Sequence, residues 1–239
     1  MKVIKYKGML SGTVLCLITT LTACEGTSKF FSTSWGSGLE REQERLIPKI
    51  TAGNAQKLAT DSAGDKKQAK RVAEKIQDAL SKTNNPAEQA VLVNAGLTAA
   101  NNASDLIMVI LGNLTAFLEP PVTTEKILKK IQTAGDVQTN AGIISGLLDA
   151  GNVVNNTALT GASPDNLALA AVTMLLADAQ AENYMDVEGQ KKYLEKFLQK
   201  RQQHESLLTD KQQKALILAQ AAVQKASLLT DILKVLHLS

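Results

Sequence analysis

Asn85-Pro86-Ala87-Glu88-Gln89-Ala90-Val91-Leu92-Val93-Asn94-Ala95-Gly96-Leu97-Thr98-Ala99-Ala100 carries the start signals of a helix in register. A residue that caps free N–H groups is followed by a proline at the first helical position and by a glutamate at capping-box spacing. Good helix formers, with apolar residues three and four apart, then extend the pattern to 102. The same signals recur along the chain: Ser163-Pro164 repeats the cap and proline, and Thr209 with Gln212 makes another box. Alternating β-branched runs are scarce. The spacing predicts helices over 40–58, 66–82, 86–102, 104–118, 124–134, 137–156, 164–181, 188–206 and 210–236. Their links are short, which favours antiparallel neighbours, so the expected fold is all-α: a helical bundle or a short stack of antiparallel helical hairpins.

The composition agrees. Of 239 residues 44% are apolar, 21% charged and only 3% aromatic, which is the balance of a globular chain with enough material for a core. Two cysteines and two histidines exclude a disulfide framework and a Cys/His zinc cage. The formal charge is +3, but Lys2, Lys5 and Lys7 precede an apolar run, and without them 23 basic side chains face 23 acidic ones. A neutral body has no global field to draw in a polyanion, so nucleic acid is not an expected partner.

The amino terminus has its own logic. Met1 to Lys7 is basic and Met9 to Thr22 is apolar or small, ending in Leu21-Thr22-Ala23-Cys24. This order of basic, apolar and small-Cys elements resembles the type II signal peptide and lipobox of bacterial lipoproteins. The resemblance covers residues 1–24. It implies cleavage between Ala23 and Cys24, a diacylglyceryl thioether on Cys24, acylation of the new amine, and loss of Cys16 with the leader. Three acyl chains exceed what lasting membrane attachment requires. Glu25 in place of Asp implies the outer membrane in the best-known sorting scheme of that family. The expected organisation is therefore a signal peptide over 1–23, a lipidated cysteine and flexible tether over 24–38, and an all-helical domain over 39–239. The tether is rich in Gly, Ser and Thr and would hold the body about 20 Å from the bilayer. Its Phe30, Phe31 and Trp35 either dip into the interface or pack onto the domain.

Within the helical part, Lys75-Ile76-Gln77-Asp78-Ala79 is echoed by Lys130-Ile131-Gln132-Thr133-Ala134, and Val93-Asn94 with Leu97-Thr98 by Val154-Asn155 with Leu159-Thr160. An internal duplication and coincidence both fit this echo. The run Leu106 to Leu111, extended by Leu114, Phe117 and Leu118, is expected to be a central core helix. A sharper alternative makes it one wall of an apolar groove for a lipid, lined by Leu106, Met108, Ile110, Phe117 and Met174. Gly142 and Gly146 offer a flat strip for tight packing, and Leu218, Ala222, Ala226, Leu229, Leu233 and Leu236 form one stripe of a long last helix.

Tests for chemistry point away from catalysis. A di-metal bundle needs Glu-x-x-His pairs, but Arg201 and Lys234 stand at that spacing before His204 and His237. Neither metal nor cofactor is expected. Glu182, Asp186 and Glu188, next to Tyr184, are the carboxylates a glycan-cleaving enzyme would use first, but acidic residues near a helix start are expected as caps. The basic amphipathic run Lys191 to Arg201, and Lys66, Lys67, Lys70 and Arg71, read as solvated helix faces. The expected function is a membrane-anchored envelope protein that acts as an interaction scaffold, adaptor or surface antigen, with other envelope proteins as partners. A binding module for an apolar ligand and a glycan-acting enzyme are the alternatives.

Overall fold

The computed structural model describes residues 47–113, 123–132, 134–151, 157–224, 227–236 and 238. Cys24, Ala23, the tether with Phe30, Phe31 and Trp35, and also Phe117, Asn155, Ala226 and His237, lie outside the described residues. Lys49–Ser239 forms one compact unit. It contains ten α-helices among the described residues: α1 Ala52–Asp61, α2 Lys66–Leu80, α3 Pro86–Asn102, α4 Asp105–Gly112, α5 Thr124–Ile131, α6 Val137–Ala150, α7 Pro164–Ala181, α8 Val187–Gln203, α9 Asp210–Val223 and α10 Leu228–Val235. Single 3-10 turns lie at Thr157–Leu159 and Glu205–Leu207. The fold is an all-α bundle.

Local chemistry explains where these helices start. The Asn85 side chain accepts from the N–H groups of Ala87 and Glu88, and Thr209 and Gln212 form a reciprocal box. Glu88 departs from the expected box, because its carboxylate accepts from the Thr83 hydroxyl at 2.9 Å. Ser163 caps nothing with its side chain; its N–H donates to Asn94 Oδ1 at 3.0 Å. The helix expected over 40–58 begins instead at Ala52, after Thr51 in extended conformation, and Pro48 is outside it. Thr51 and Asn54 make their own capping box there, a pairing that uses Asn in place of Glu or Gln.

Two expected long helices are broken. The one over 188–206 stops at Gln203, where His204 turns extended and its Nδ1 accepts from the Ser206 N–H. The one over 210–236 is two helices, because Ser227 is extended and caps α10 through a box with Thr230. Its supposed single stripe is thus divided between α9 and α10, and Leu218, Ala222, Leu229, Leu233 and Leu236 are still buried.

α7 is the central helix. Its thirteen residues from Leu167 to Ala179 are all buried, and it packs chiefly on α9, then on α6, α10 and α3. Alternating alanines let neighbours approach from every side, which is what a helix apolar all round needs in order to be enclosed. α4 was expected in this role and does not fill it: Leu106 and Ile110 are buried while Met108 is 68% exposed. α3 is the second hub, packing on α2, α1, α6 and the Thr157–Leu159 turn. A Cβ on Gly96 would lie 2.6 Å from Leu147 Cδ2, so glycine is what permits the α3–α6 approach. Of the expected glycine strip, Gly146 meets Gln77 at comparable range whereas Gly142 faces open space.

The sequence echo does not translate into equal structure. Leu97 and Thr98 lie within α3, but their counterparts Leu159 and Thr160 lie in and just after a 3-10 turn. Asn94 and Thr98 have a different use, in a polar seam joining α1, α3 and α7. Asn94 Nδ2 donates to Gln56 Oε1 at 2.8 Å, and Asn166 Nδ2 to Thr98 Oγ1 at 2.8 Å. Asn101 Nδ2 donates to the Asn166 carbonyl at 3.1 Å, and Asn102 Nδ2 to that of Ala59 at 2.9 Å.

Candidate functional site

The densest chemistry among the described residues sits where α7, α8 and α9 meet. Tyr193 on α8 is 2% exposed. Its hydroxyl donates to Asp178 Oδ2 of α7 at 2.6 Å and accepts from Gln212 Nε2 of α9 at 3.0 Å. Gln212 also holds the Thr209 N–H through its Oε1, so one amide serves both the helix cap and the phenol. Burial first, and then the hydrogen bond to Asp178, push the Tyr193 phenol above its ordinary range. It stays a neutral hydroxyl that donates to a carboxylate. Chemically this is a strut, since the proton is held between two buried groups rather than offered to a cleft.

A second cluster ties α6 to α9. Lys214, with 12% of its side chain exposed, donates to Ser145 Oγ at 2.6 Å and lies 2.8 Å from Asp149 and 2.9 Å from Asp210. A serine beside a lysine has the parts of a nucleophile and its base, but such a lysine must be neutral to take the proton. Burial lowers the Lys214 pKa, yet hydrogen bonds and charge attraction from Asp149 and Asp210 outweigh it and leave the net direction raised. Lys214 therefore remains an ammonium, and the arrangement is an ion-pair pin. Short spacings exist only within each helix, as between Ser145 and Asp149; the pairings that build both clusters, Tyr193 with Asp178 and Gln212, and Ser145 and Asp149 with Lys214, span 15 to 69 residues and no local pattern announces them.

No protein-family model matches the chain, and searches of curated proteins and of solved structures find none similar to it. What the site can do therefore rests on its own geometry.

The acidic cluster near Tyr184 is taken up by helix ends and ion pairs. Asp186 caps α8 by accepting from the Gly189 N–H at 2.6 Å, Glu188 lies 3.9 Å from Lys191, and Glu182, at the C-cap of α7, lies 4.0 Å from Lys200. Lys191 also pairs with Glu125 at 3.1 Å, which raises its pKa mainly through that hydrogen bond. Within the basic run, Leu194 and Phe197 are buried and Lys192 and Lys196 exposed; Lys196 donates to the Tyr184 hydroxyl. Lys66 pairs with Asp105 and, at 3.9 Å, Asp136. Among the described residues no group of three His, Cys, Asp or Glu side chains is placed to hold a metal.

The structure gives the burial of four of the groove residues, Phe117 lying outside the described residues. Leu106, Ile110 and Met174 are buried in the core, and Met108 points outward. Ile110 borders a filled seam with Leu169, Val172, Leu229 and Ile232. Two further hollows lie among the described residues. One, of about 320 Å³, is open and lies between the Glu205–Leu207 turn and α9, floored by Leu208, Leu216 and Ile217. It arises from the break at His204, which no local pattern in the sequence announces. The other, between α5, α7, α8 and α10, encloses about 10 Å³ and contains Gln190.

Proposed function

We propose that the chain is a lipid-anchored helical protein of a bacterial envelope, held at the outer membrane by acyl groups on Cys24, that works through contacts with other envelope proteins as a scaffold, adaptor or surface antigen. The observation that carries this reading is Leu21-Thr22-Ala23-Cys24 closing an apolar run that begins after Lys2, Lys5 and Lys7. A lipid anchor supplies attachment without a spanning helix, and among the described residues no helix is long and apolar enough to cross a membrane.

Two features of the body favour contact over catalysis. Its most buried ionisable groups, Asp178, Tyr193 and Lys214, are engaged in joining helices. Met108 on α4 is 68% exposed and Met185, in the loop before α8, 65%, and methionine is among the side chains that interfaces favour. Mass spectrometry of native material tests the anchor: a mature chain beginning at Cys24 with acyl mass on that residue is expected. An unmodified Cys24, or a leader still attached, refutes it. Crosslinking in intact cells then tests the partner class, for which covalent adducts with envelope proteins are expected.

A further inference from the structure

The break at His204 leaves an open hollow of about 320 Å³ between the Glu205–Leu207 turn and α9, at the lower end of the roughly 300–1,000 Å³ that small-ligand sites occupy. Its floor is apolar: Leu208 and Leu216 are buried and Ile217 is half-buried. Its rim carries unmatched polar groups. The Glu205 carboxylate is exposed and has neither an ion pair nor a hydrogen bond among the described residues. Gln213 commits its Nε2 to the Leu208 carbonyl at 3.2 Å, which fixes the amide and leaves Oε1 as an acceptor. Gln220, two turns further along α9 on the same rim, keeps its whole amide unmatched among the described residues.

The complement of a carboxylate beside an amide oxygen is a group with several donors and no acceptor, and an ammonium is that group. An anion is refused by Glu205. The turn sets where charge meets apolar surface. The Leu208 N–H donates to the Glu205 carbonyl at 3.0 Å and closes one 3-10 turn, in which side chains three apart lie one above the other. The carboxylate therefore stands over the floor, and its ligand carries ammonium and apolar group close together. Two leucines and an isoleucine make a floor that suits a branched aliphatic side chain better than an unbranched stem. The rim adds a length. Gln213 and Gln220 are seven residues apart on one face of α9, about 10 Å along its axis, which is the span of about three residues of extended peptide.

We infer that this hollow captures the free amino end of an extended peptide whose first residue is aliphatic. The α-ammonium sits on Glu205 and Gln213 Oε1, the first side chain on Leu208, Leu216 and Ile217, and a following peptide group on Gln220. The inference rests on the contact role proposed above and gives its partner a chemistry, a chain terminus held by its charge and first side chain.

The test uses the full chain, labelled with ¹³C at its isoleucine and leucine methyl groups, in phosphatidylcholine nanodiscs, titrated with the peptide Leu-Ala-Ala-amide. Saturable shifts of the Ile217, Leu208 and Leu216 methyl signals are expected. N-acetylation of the peptide, or glycine as its first residue, is expected to weaken binding by about five-fold or more. Glu205→Gln, which keeps the shape and removes the charge at an exposed position, is expected to weaken it by about five-fold, the upper range for an exposed ion pair, with its helical circular dichroism intact. Shifts that do not saturate, equal binding of the acetylated or glycine-first peptide, or unchanged binding by a folded Glu205→Gln overturns the site. Binding of acetyl-Ala-Lys-Ala-amide as tight as that of Leu-Ala-Ala-amide also overturns it, and assigns the hollow to a lysine side chain. Should Glu205→Gln not fold, the peptide series on the unaltered chain decides. None of these outcomes bears on the mass of the Cys24 peptide or on adducts formed in cells, which report the anchor and the contact role separately.

Discussion

Replacing Tyr193 by Phe removes one oxygen from the junction of three helices and changes little else in volume. Asp178, 6% exposed, loses the donor 2.6 Å from Oδ2, and Gln212 Nε2 loses its acceptor. A hydrogen bond to a charged group contributes about 1.5–3 kcal/mol, and a buried polar atom left unmatched adds part of its desolvation cost. Asp178 also stands in the last turn of α7, where the helix dipole opposes a negative charge. The expected loss is about 3 kcal/mol, or about 6–12 °C in Tm for a body of this size. Urea unfolding at pH 7, followed by circular dichroism with the m-value unchanged, measures it. A double-mutant cycle with Asp178→Leu should return a coupling of at least about 1 kcal/mol. The alkaline limb gives an independent check. The folded phenol holds its proton more tightly than the unfolded one, so its contribution is complete below about pH 10 and is lost as pH rises further, by about 1.4 kcal/mol per pH unit. Tyr193→Phe lacks this one-proton slope, so the two stability curves converge above pH 10; Lys214 titrates in the same window but is common to both proteins. A loss under about 1 kcal/mol at neutral pH, or parallel curves above pH 10, would refute the reading of this junction as a structural strut.

The glycines of α3 and α6 make opposite predictions. Gly96→Ala places a methyl 2.6 Å from Leu147 Cδ2 and is expected to destabilise by about 1–2 kcal/mol after the gain in helix propensity, whereas Gly142→Ala meets nothing and should stabilise by about 0.5–1 kcal/mol; chemical denaturation of the two variants in parallel checks the sign of each. Lys214→Met is expected to cost only about 1 kcal/mol, because Asp149 and Asp210 are 64% and 71% exposed and stay hydrated when the ammonium is gone. A loss above about 3 kcal/mol in the same assay would show that the pin matters more than its exposure allows.

The parts legible in the sequence are those fixed within one turn of helix. The bounds of α3 and α7 follow from Asn85-Pro86 and Ser163-Pro164, where a proline admits a helix start and little else. Nothing in the apolar spacing marks the breaks at His204 and Ser227, and the box that starts α10 pairs Ser227 with Thr230 in place of the usual Glu or Gln. Hydrophobicity per residue marks α4 as a core helix, whereas enclosure depends on how closely neighbours can approach. Alanine-rich α7 accepts partners on all sides, and Met108 on α4 is left outside. The Asp178–Tyr193–Gln212 and Ser145–Lys214–Asp149 groups come from helices far apart in sequence, so no local pattern announces them.

Apolar burial alone does not fix how α7 sits. A helix buried on every side can rotate about its axis and expose nothing, so the alanine and leucine content that drives it inside leaves its rotation weakly specified. Two polar connections remove that freedom. Near the start, Asn166 donates to Thr98 and accepts from Asn101; near the end, Asp178 accepts from Tyr193. Twelve residues separate Asn166 from Asp178, which at about 100° per residue places them roughly 120° apart around the axis. One rotation satisfies both, and any other leaves a buried amide or carboxylate unmatched. In this chain, therefore, apolar area supplies the drive to compaction, and a few amides, one phenol and one carboxylate select a single arrangement of the central helix.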